Sequence, residues 1–313
     1  MDTHPGLIGG PIYLDYNATT PTDPRVVEAM LPYLSTHFGN PSSGHGYGAA
    51  PAEAVAAARH QVARLIGAHP EEIVFTGSGS EADNLAIRGA ALTHPRRASS
   101  PPAHVISQRT EHPAVLAACD ALHRLHGVQI TYLPVDTHGQ VDPAALAAAI
   151  TDRTALVSIG TENVALAVAL GAAADLAAAD LAAGEPQRLR GLRDELHRRL
   201  AEQLPGPVLL NGHPTQRLPN TTNLSLTPHD GNALLAAAAG VAASTGSACH
   251  TGTTQPSPVL TAMALPDART RSAVRLSLGR WTNRHDISHA ADRLAAAATA
   301  RLHDGTAERI HQT

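Results

Sequence analysis

Short apolar runs alternate with helical patterns over the first half of the chain. Strands are predicted at residues 72–76, 104–107, 129–133 and 155–159. Apolar residues three and four positions apart predict helices at 25–34, 51–66, 81–92, 112–125 and 143–150. Strands that alternate with helices are typical of an α/β fold with a largely parallel sheet.

The pattern changes after Thr161, where long helices rich in alanine and leucine begin. These helices are predicted at 163–183 and 186–204, followed by strands at 207–210, 222–226 and 273–278 and a helix at 285–302. This succession predicts a second, smaller α+β domain, with Pro205 and Gly206 at its entry. We therefore expect an N-terminal segment associated with the small domain at 1–20, a large domain with its connecting helices at 21–204, and the small domain at 205–313.

Composition excludes several classes of function. Only 3% of the residues are aromatic and the net charge is -4, so stacking platforms and a basic phosphate-tracking surface for nucleic acid are missing. The apolar stretches are too short to span a membrane. Two cysteines make neither a disulfide framework nor a zinc site, and nineteen histidines lack the accompanying acids or cysteines of a metal site. We expect a cytoplasmic protein that binds small molecules and holds no metal.

The chain contains no lysine. Its 23 basic residues other than histidine are all arginine. A guanidinium keeps its proton at any pH that a protein tolerates, whereas nucleophilic catalysis by an amine needs the neutral form. This chain acting alone therefore cannot carry out any reaction that depends on a lysine amine.

A turn of small residues links the strand predicted at 72–76 to the next helix. Backbone N–H groups and the helix dipole converge at such a turn, which favours a phosphate. Gly77, Gly79 and Ala82 also fit the GxGxxA pattern of dinucleotide-binding proteins, although Gln108 and Arg109 replace the acidic residue expected after the next strand. A phosphate site, a dinucleotide site and a plain turn all remain open from these residues.

Cys249 is the candidate nucleophile of the chain. It lies among small, polar residues that offer little to bury a sulfur atom, whereas Cys119 lies in a helical pattern of apolar residues and is expected to pack in the core. His112 begins a helix directly after a strand, at the edge of a parallel sheet where ligands bind. Capping of that helix is the alternative role of His112.

Seven motifs occur in the order found in cysteine desulfurases of the NifS/IscS type, which have the class V aminotransferase fold. They are YLDYNATTP at 13–21, GNPSSGH at 39–45, FTGSGSEADN at 75–84, TEHP at 110–113, GTEN at 160–163, GSAC at 246–249 and VRLSLG at 274–279. The resemblance spans nearly the whole chain. It implies a pyridoxal phosphate (PLP) enzyme of fold type I, with a three-layer large domain around a mainly parallel sheet and a smaller α+β domain.

The resemblance also implies roles for individual residues. Gly79 and Ser80 would hold the phosphate of PLP, and His112 would stack on its ring. Arg275 would bind the substrate carboxylate. Thr161 would reach the phosphate of the partner subunit, and Cys249 would accept sulfur as a persulfide. The implied reaction takes sulfur from L-cysteine and leaves L-alanine.

One block of the family pattern is missing. In the family, three further strands lie between the strand matching 155–159 and the GTEN motif, and they carry the lysine that binds PLP covalently and the aspartate that pairs with its pyridinium nitrogen. Here Gly160 follows Ile159 directly. The sheet of the large domain is therefore expected to be truncated, and we expect the chain alone to be inactive or nearly so.

Other functions remain open beside the lone desulfurase homologue. The chain is alternatively a non-catalytic subunit or a sulfur-relay protein that uses Cys249, as a homodimer or with a full-length paralogue. Its implied partners are L-cysteine and a sulfur-acceptor protein such as an iron-sulfur scaffold. A dinucleotide-binding oxidoreductase is the remaining alternative. For the truncated sheet, we expect residues 72–76 to pair directly with 155–159, or else the large domain to be unstable.

Overall fold

The computed structural model of the chain describes residues 3–93, 102–159, 167–246 and 257–310. The described helices are α1 (Pro24–Ser35), α2 (Gly46–Ile66), α3 (Gly79–Thr93), α4 (Pro113–His126), α5 (Pro143–Ala149), α6 (Ala167–Ala182), α7 (Glu185–Gln203), α8 (Gly231–Ala237), α9 (Pro258–Ala262), α10 (Asp267–Arg271) and α11 (Arg284–Ile310). The described strands are β1 (Ile12–Tyr13), β2 (His104–Gln108), β3 (Gln129–Leu133), β4 (Thr154–Val157), β5 (Val208–Asn211), β6 (Thr221–Leu226), β7 (Val241–Ala242) and β8 (Ala273–Ser277). None of the helices in these ranges is long and apolar enough to cross a membrane.

The chain divides into two compact units. The parallel-sheet unit comprises Thr22–Val135 and Val141–Ala183, and the antiparallel-sheet unit comprises Met1–Pro21, Asp136–Gln140 and Gly184–Thr313. This division falls at 183/184, earlier than the boundary expected near 204. Helix α7 joins the antiparallel-sheet unit because its apolar residues Leu192, Leu196 and Leu200 are buried in that unit's core.

Three parallel strands form the sheet of the parallel-sheet unit, in the order β3-β2-β4. The central strand β2 is buried along its whole length, and its Val105 packs with Ile87 of α3 and with Val115 and Leu122 of α4. Helix α4 begins at a proline after the His112 cap and ends at Gly127, whose positive φ of 66° suits a glycine. The strands predicted at 104–107, 129–133 and 155–159 are thus confirmed.

The strand predicted at 72–76 does not form. Residues 70–72 make a 3-10 turn, and residues 73–76 pair with no described strand. They lie against α2 instead, where Arg59 donates a hydrogen bond to the carbonyl of Ile73 and lies 5.0 Å from the centre of the Phe75 ring. The expected pairing with 155–159 is therefore wrong, and the Arg59 guanidinium donates to one carbonyl of the segment, that of Ile73. The alternative expectation, an unstable large domain, stays a prediction.

The antiparallel-sheet unit has one polar and one apolar sheet face. Its main sheet has the order β5-β6-β8, and alternation along these strands puts the side chains of successive residues on opposite faces. Leu224, Val274 and Leu276 are fully buried on the apolar face, in a core shared with α7 and α11. Asn223 and Arg275 are paired residues and therefore lie on the other, polar face.

Candidate functional site

The N-terminus of α3 is the expected phosphate site, and an acidic side chain of the protein already lies there. Gly79 and Ser80 begin the helix. The backbone N–H of Gly77 donates to Oε2 of Glu81 at 2.6 Å, and the N–H of Glu81 donates to Oγ of Ser78 at 3.2 Å. The Ser78 hydroxyl thus caps the helix, and the Glu81 carboxylate holds the N–H of Gly77 in the preceding turn.

His112 lies at the carboxyl end of β2 as the N-cap of α4. Its Nδ1 accepts a hydrogen bond from the N–H of Ala114 at 3.2 Å. Two acidic side chains share this edge of the unit. Glu111 is buried and accepts from Nε2 of Gln108 at 3.1 Å. Burial raises the pKa of Asp83 on α3; His112 lowers it and Glu111 raises it further.

The sequence analysis did not select Asp83 or Glu111. Both lie inside quoted motifs, Asp83 four residues after Gly79 on α3 and Glu111 directly before His112. Their positions inside the matched motifs are the signal that could have identified them. The structure brings Gly79, Ser80, Asp83 and His112 into the same parallel-sheet unit.

Arg275 lies on the polar face of the other sheet and makes an ion pair. Its Nη2 donates to Oδ1 of Asp15 at 2.8 Å, and the two side chains are 17% and 20% exposed. The segment after β1 runs beside β8 and pairs Asp15 with Ser277, which places Asp15 next to Arg275. The Nε of Arg275 is buried without a hydrogen-bond partner.

Close packing fixes the segment that carries Asp15. The ring of Tyr16 lies directly on Gly279, where an added Cβ would come within 2.1 Å of the ring. Burial raises the pKa of the Tyr16 hydroxyl, as expected for a phenol covered by protein. The last glycine of the VRLSLG motif is therefore needed for this contact, which holds residues 14–16 against β8.

Of the two cysteines, the structure describes Cys119. Cys119 is fully buried in the core between α3, α4 and the sheet, and burial raises the pKa of its thiol. It packs in the core as predicted and is kept in the unreactive thiol form. Cys249 and Thr161 lie outside the described residues. Within the described ranges, no cluster of three or more His, Cys, Asp or Glu residues is placed to hold a metal ion.

The residues of the parallel-sheet unit do not fit PLP as the family binds it. No lysine exists in the chain for covalent attachment. The carboxylate of Glu81 accepts the N–H of Gly77 directly before α3, and residues 73–76 pair with no described strand. The missing amine therefore rules out the covalent link by which the family holds the cofactor.

Comparisons with known proteins agree on one family for this chain. A model of the class-V aminotransferase family matches residues 12–160 and 159–289. A cysteine desulfurase of Nostoc sp. (strain PCC 7120) is 35% identical over 367 residues, covering 88% of this chain and 90% of its own. Cysteine desulfurase IscS of Anaeromyxobacter sp. (strain Fw109-5) is 33% identical over 371 residues, covering 89% of this chain and 90% of its own.

Solved structures of this type share the fold. A NifS-like protein has a TM-score of 0.79 at 21% identity, covering 92% of this chain and 99% of its own. The apo cysteine desulfurase of Thermococcus onnurineus NA1 has a TM-score of 0.72 at 15% identity, covering 93% of this chain and 95% of its own. The predicted class, a mixed α/β fold like that of PLP-dependent transferases, is confirmed.

The alignments also locate the missing block. The two segments matched by the family model meet at residues 159 and 160, directly after β4. The alignment with the Nostoc relative is longer than the 313 residues of this chain, so it contains positions that this chain lacks. PLP is the cofactor that the family implies, and this chain has no lysine to bind it. From its motifs, fold and relatives, the chain belongs to the class-V aminotransferase family as a cysteine desulfurase homologue.

Proposed function

We propose that this chain is a cysteine desulfurase homologue that does not by itself perform the lysine-dependent removal of sulfur from L-cysteine. The observation that carries the proposal is the absence of lysine from all 313 residues. The break in the family match directly after β4 supports it, because the lysine-bearing block of the family lies there by resemblance.

Arginine does not replace the missing lysine. Its guanidinium has a pKa above about 12, so it neither forms the covalent link nor takes up a proton at neutral pH. A positioned acid or base typically contributes about 10² to 10⁴ in rate. The lone chain should therefore form L-alanine from L-cysteine far more slowly than a full-length relative does.

The residues that remain keep proposed roles of their own. Gly79 and Ser80 offer backbone N–H groups at the start of α3, and His112 presents its imidazole at the carboxyl end of β2. These groups would bind a phosphate and a ring weakly and without a covalent bond. Arg275 would bind a carboxylate in the antiparallel-sheet unit, and Thr161 would contact a phosphate across a subunit interface.

A second candidate function is sulfur relay through Cys249. The only other cysteine, Cys119, is fully buried, so Cys249 is the thiol left for this chemistry. In the relay, the Cys249 thiolate attacks the outer sulfur of a donor persulfide, and the donor thiolate leaves, so no oxidant is required. The proposed setting is a cytoplasmic homodimer, or a heterodimer with a full-length paralogue, that passes sulfur to an acceptor such as an iron-sulfur scaffold.

One assay tests both candidates. The purified chain is incubated with L-cysteine and PLP, and L-alanine is measured beside the Nostoc relative as positive control. No alanine is expected from this chain. When the two proteins are mixed, relay predicts a persulfide on Cys249 that is lost in Cys249→Ser. Alanine formation by the lone chain at a rate near that of the relative would overturn the proposal.

A further inference from the structure

Two exposed histidines lie side by side near the start of α11. His285 and His289 are four residues apart, and their ring centres are 3.9 Å from each other with 37° between the ring planes. Side chains at this spacing share one face of a helix. Among the residues that the structure describes, neither imidazole takes part in a hydrogen bond or an ion pair, so the ring nitrogens are available to a ligand.

Two other histidines on helices use a ring nitrogen within the protein. The Nδ1 of His123 on α4 donates to the carbonyl of Val128 at 3.0 Å, although His126 lies only three residues further along that helix. The Nδ1 of His112 accepts the N–H of Ala114 at 3.2 Å. The pair on α11 differs because both of its rings are exposed and lie close together.

The sequence around the pair has the spacing of a zinc-binding motif. HDISH at 285–289 matches H-E-x-x-H, in which two histidines on one helix face bind the metal and the acid is a general base, except that an aspartate replaces the glutamate. Here that acid caps the helix. Oδ2 of Asp286 accepts the N–H of Asn283 at 3.0 Å, and the N–H of Asp286 donates to Oδ1 of Asn283 at 3.1 Å. This arrangement favours metal binding by the imidazoles without hydrolytic chemistry.

We propose that His285 and His289 together bind one divalent first-row transition metal ion of the class Ni²⁺, Cu²⁺ and Zn²⁺. Two imidazole nitrogens that are each about 2.0 to 2.1 Å from one ion lie roughly 2.9 to 3.4 Å apart, for angles from about 90° to about 109°. Rings whose centres are 3.9 Å apart reach this separation by rotation about the side-chain bonds. Water completes the coordination, because the described part of the chain places no third His, Cys, Asp or Glu at the same ion.

Imidazole ligands select the metal. Neutral imidazole suits nickel, copper and zinc, whereas Mg²⁺ and Ca²⁺ require oxygen ligands. The surrounding charge does not oppose a cation, since residues 284–293 contain two arginines and two aspartates, and Arg199 of α7, which contacts Ser288, is paired with Glu195. The expected absence of a metal rested on the lack of accompanying acids or cysteines, and two neighbouring imidazoles need neither.

Calorimetric titration of the full chain with nickel chloride tests the proposal. The protein is stripped of metal and carries no polyhistidine tag. His285→Asn and His289→Asn should each weaken Ni²⁺ binding about 100-fold, because the second imidazole binds an ion that the first already holds nearby. The double variant should lose at most about twofold more, because a single imidazole has no chelate to lose. Magnesium chloride should show no binding that depends on either histidine.

A matched control separates the pair from the other histidines. His126→Asn removes an exposed histidine from the last turn of α4, three residues after His123, and should leave Ni²⁺ affinity unchanged. Fully additive losses in the double variant, or equal losses in His126→Asn and His289→Asn, would overturn the proposal.

A second measurement uses the unaltered chain and therefore decides even if a variant fails to fold. Diethyl pyrocarbonate modifies exposed imidazoles, and mass spectrometry locates the modified residues. Ni²⁺ should slow the modification of His285 and His289 but not that of His126, and unchanged rates at the pair would refute the site. The outcome is separable from the proposed function, because the site depends on neither PLP nor lysine.

Discussion

The carboxylate of Glu81 should weaken phosphate binding at the start of α3. It accepts the N–H of Gly77 at 2.6 Å, so a phosphate must either displace it or lie beside it. Two unit charges about 5 Å apart in water interact by about 0.8 kcal/mol, and a phosphate dianion doubles this to about 1.7 kcal/mol. Salt at about 0.15 M roughly halves the repulsion to about 0.9 kcal/mol.

Glu81→Gln tests this magnitude. The amide oxygen of glutamine still accepts the N–H of Gly77, so the turn should persist while the charge is lost. The affinity for inorganic phosphate should rise about fourfold to fivefold, which corresponds to about 0.9 kcal/mol. NMR shifts of the backbone amides at 77–82 during a phosphate titration measure the change, even when binding is weak.

A matched control separates the local effect from overall charge. Glu28→Gln removes the same charge from an exposed position on α1 in the same unit, and it should leave phosphate affinity unchanged. Equal gains in both variants, or no gain in Glu81→Gln, would refute the conclusion that the charge of Glu81 weakens phosphate binding at this site.

Three further outcomes are expected. Gly279→Ala should lower the free energy of unfolding by about 1 to 3 kcal/mol, because the added Cβ meets the Tyr16 ring; an unchanged urea midpoint would contradict this. Burial lowers the pKa of His104, so on acidification the unfolded chain takes up this proton before the folded chain does. The stability that neutral His104 contributes is therefore complete above the usual pKa of 6.5 and falls as the pH drops below it. His104→Asn should reduce this loss of stability between pH 7.5 and 5.5, and an equal loss in both proteins would exclude the effect. Iodoacetamide should alkylate Cys249 much faster than Cys119 in the folded protein, as read by mass spectrometry, and equal rates would remove the relay candidate.

Much of the fold follows from local patterns, and the exception shows what such patterns omit. Strands β2, β3 and β4 were predictable because each has apolar and β-branched residues and finds a partner among the other two. Residues 72–76 have the same composition, but a strand also needs a neighbour. Arg59 bonds to Ile73 instead, and no local pattern reveals that choice.

The candidate site was predictable to a similar extent. Motifs identified Gly79, His112 and Arg275 and implied their roles. The partner of Arg275, Asp15, lies 260 positions away along the chain, so only the folded sheet brings the two together. The contact between Glu81 and Gly77, in contrast, spans four residues at a helix start, and a local pattern could have revealed it.

Reductive trapping of PLP tests the central claim most directly. The purified chain is incubated with PLP, treated with borohydride, digested and mapped by mass spectrometry, with a full-length desulfurase as positive control. Because the chain has no lysine, no internal residue should carry a reduced pyridoxyl group, and only the α-amino group of the chain terminus is available. A pyridoxyl group on any internal side chain would contradict the account.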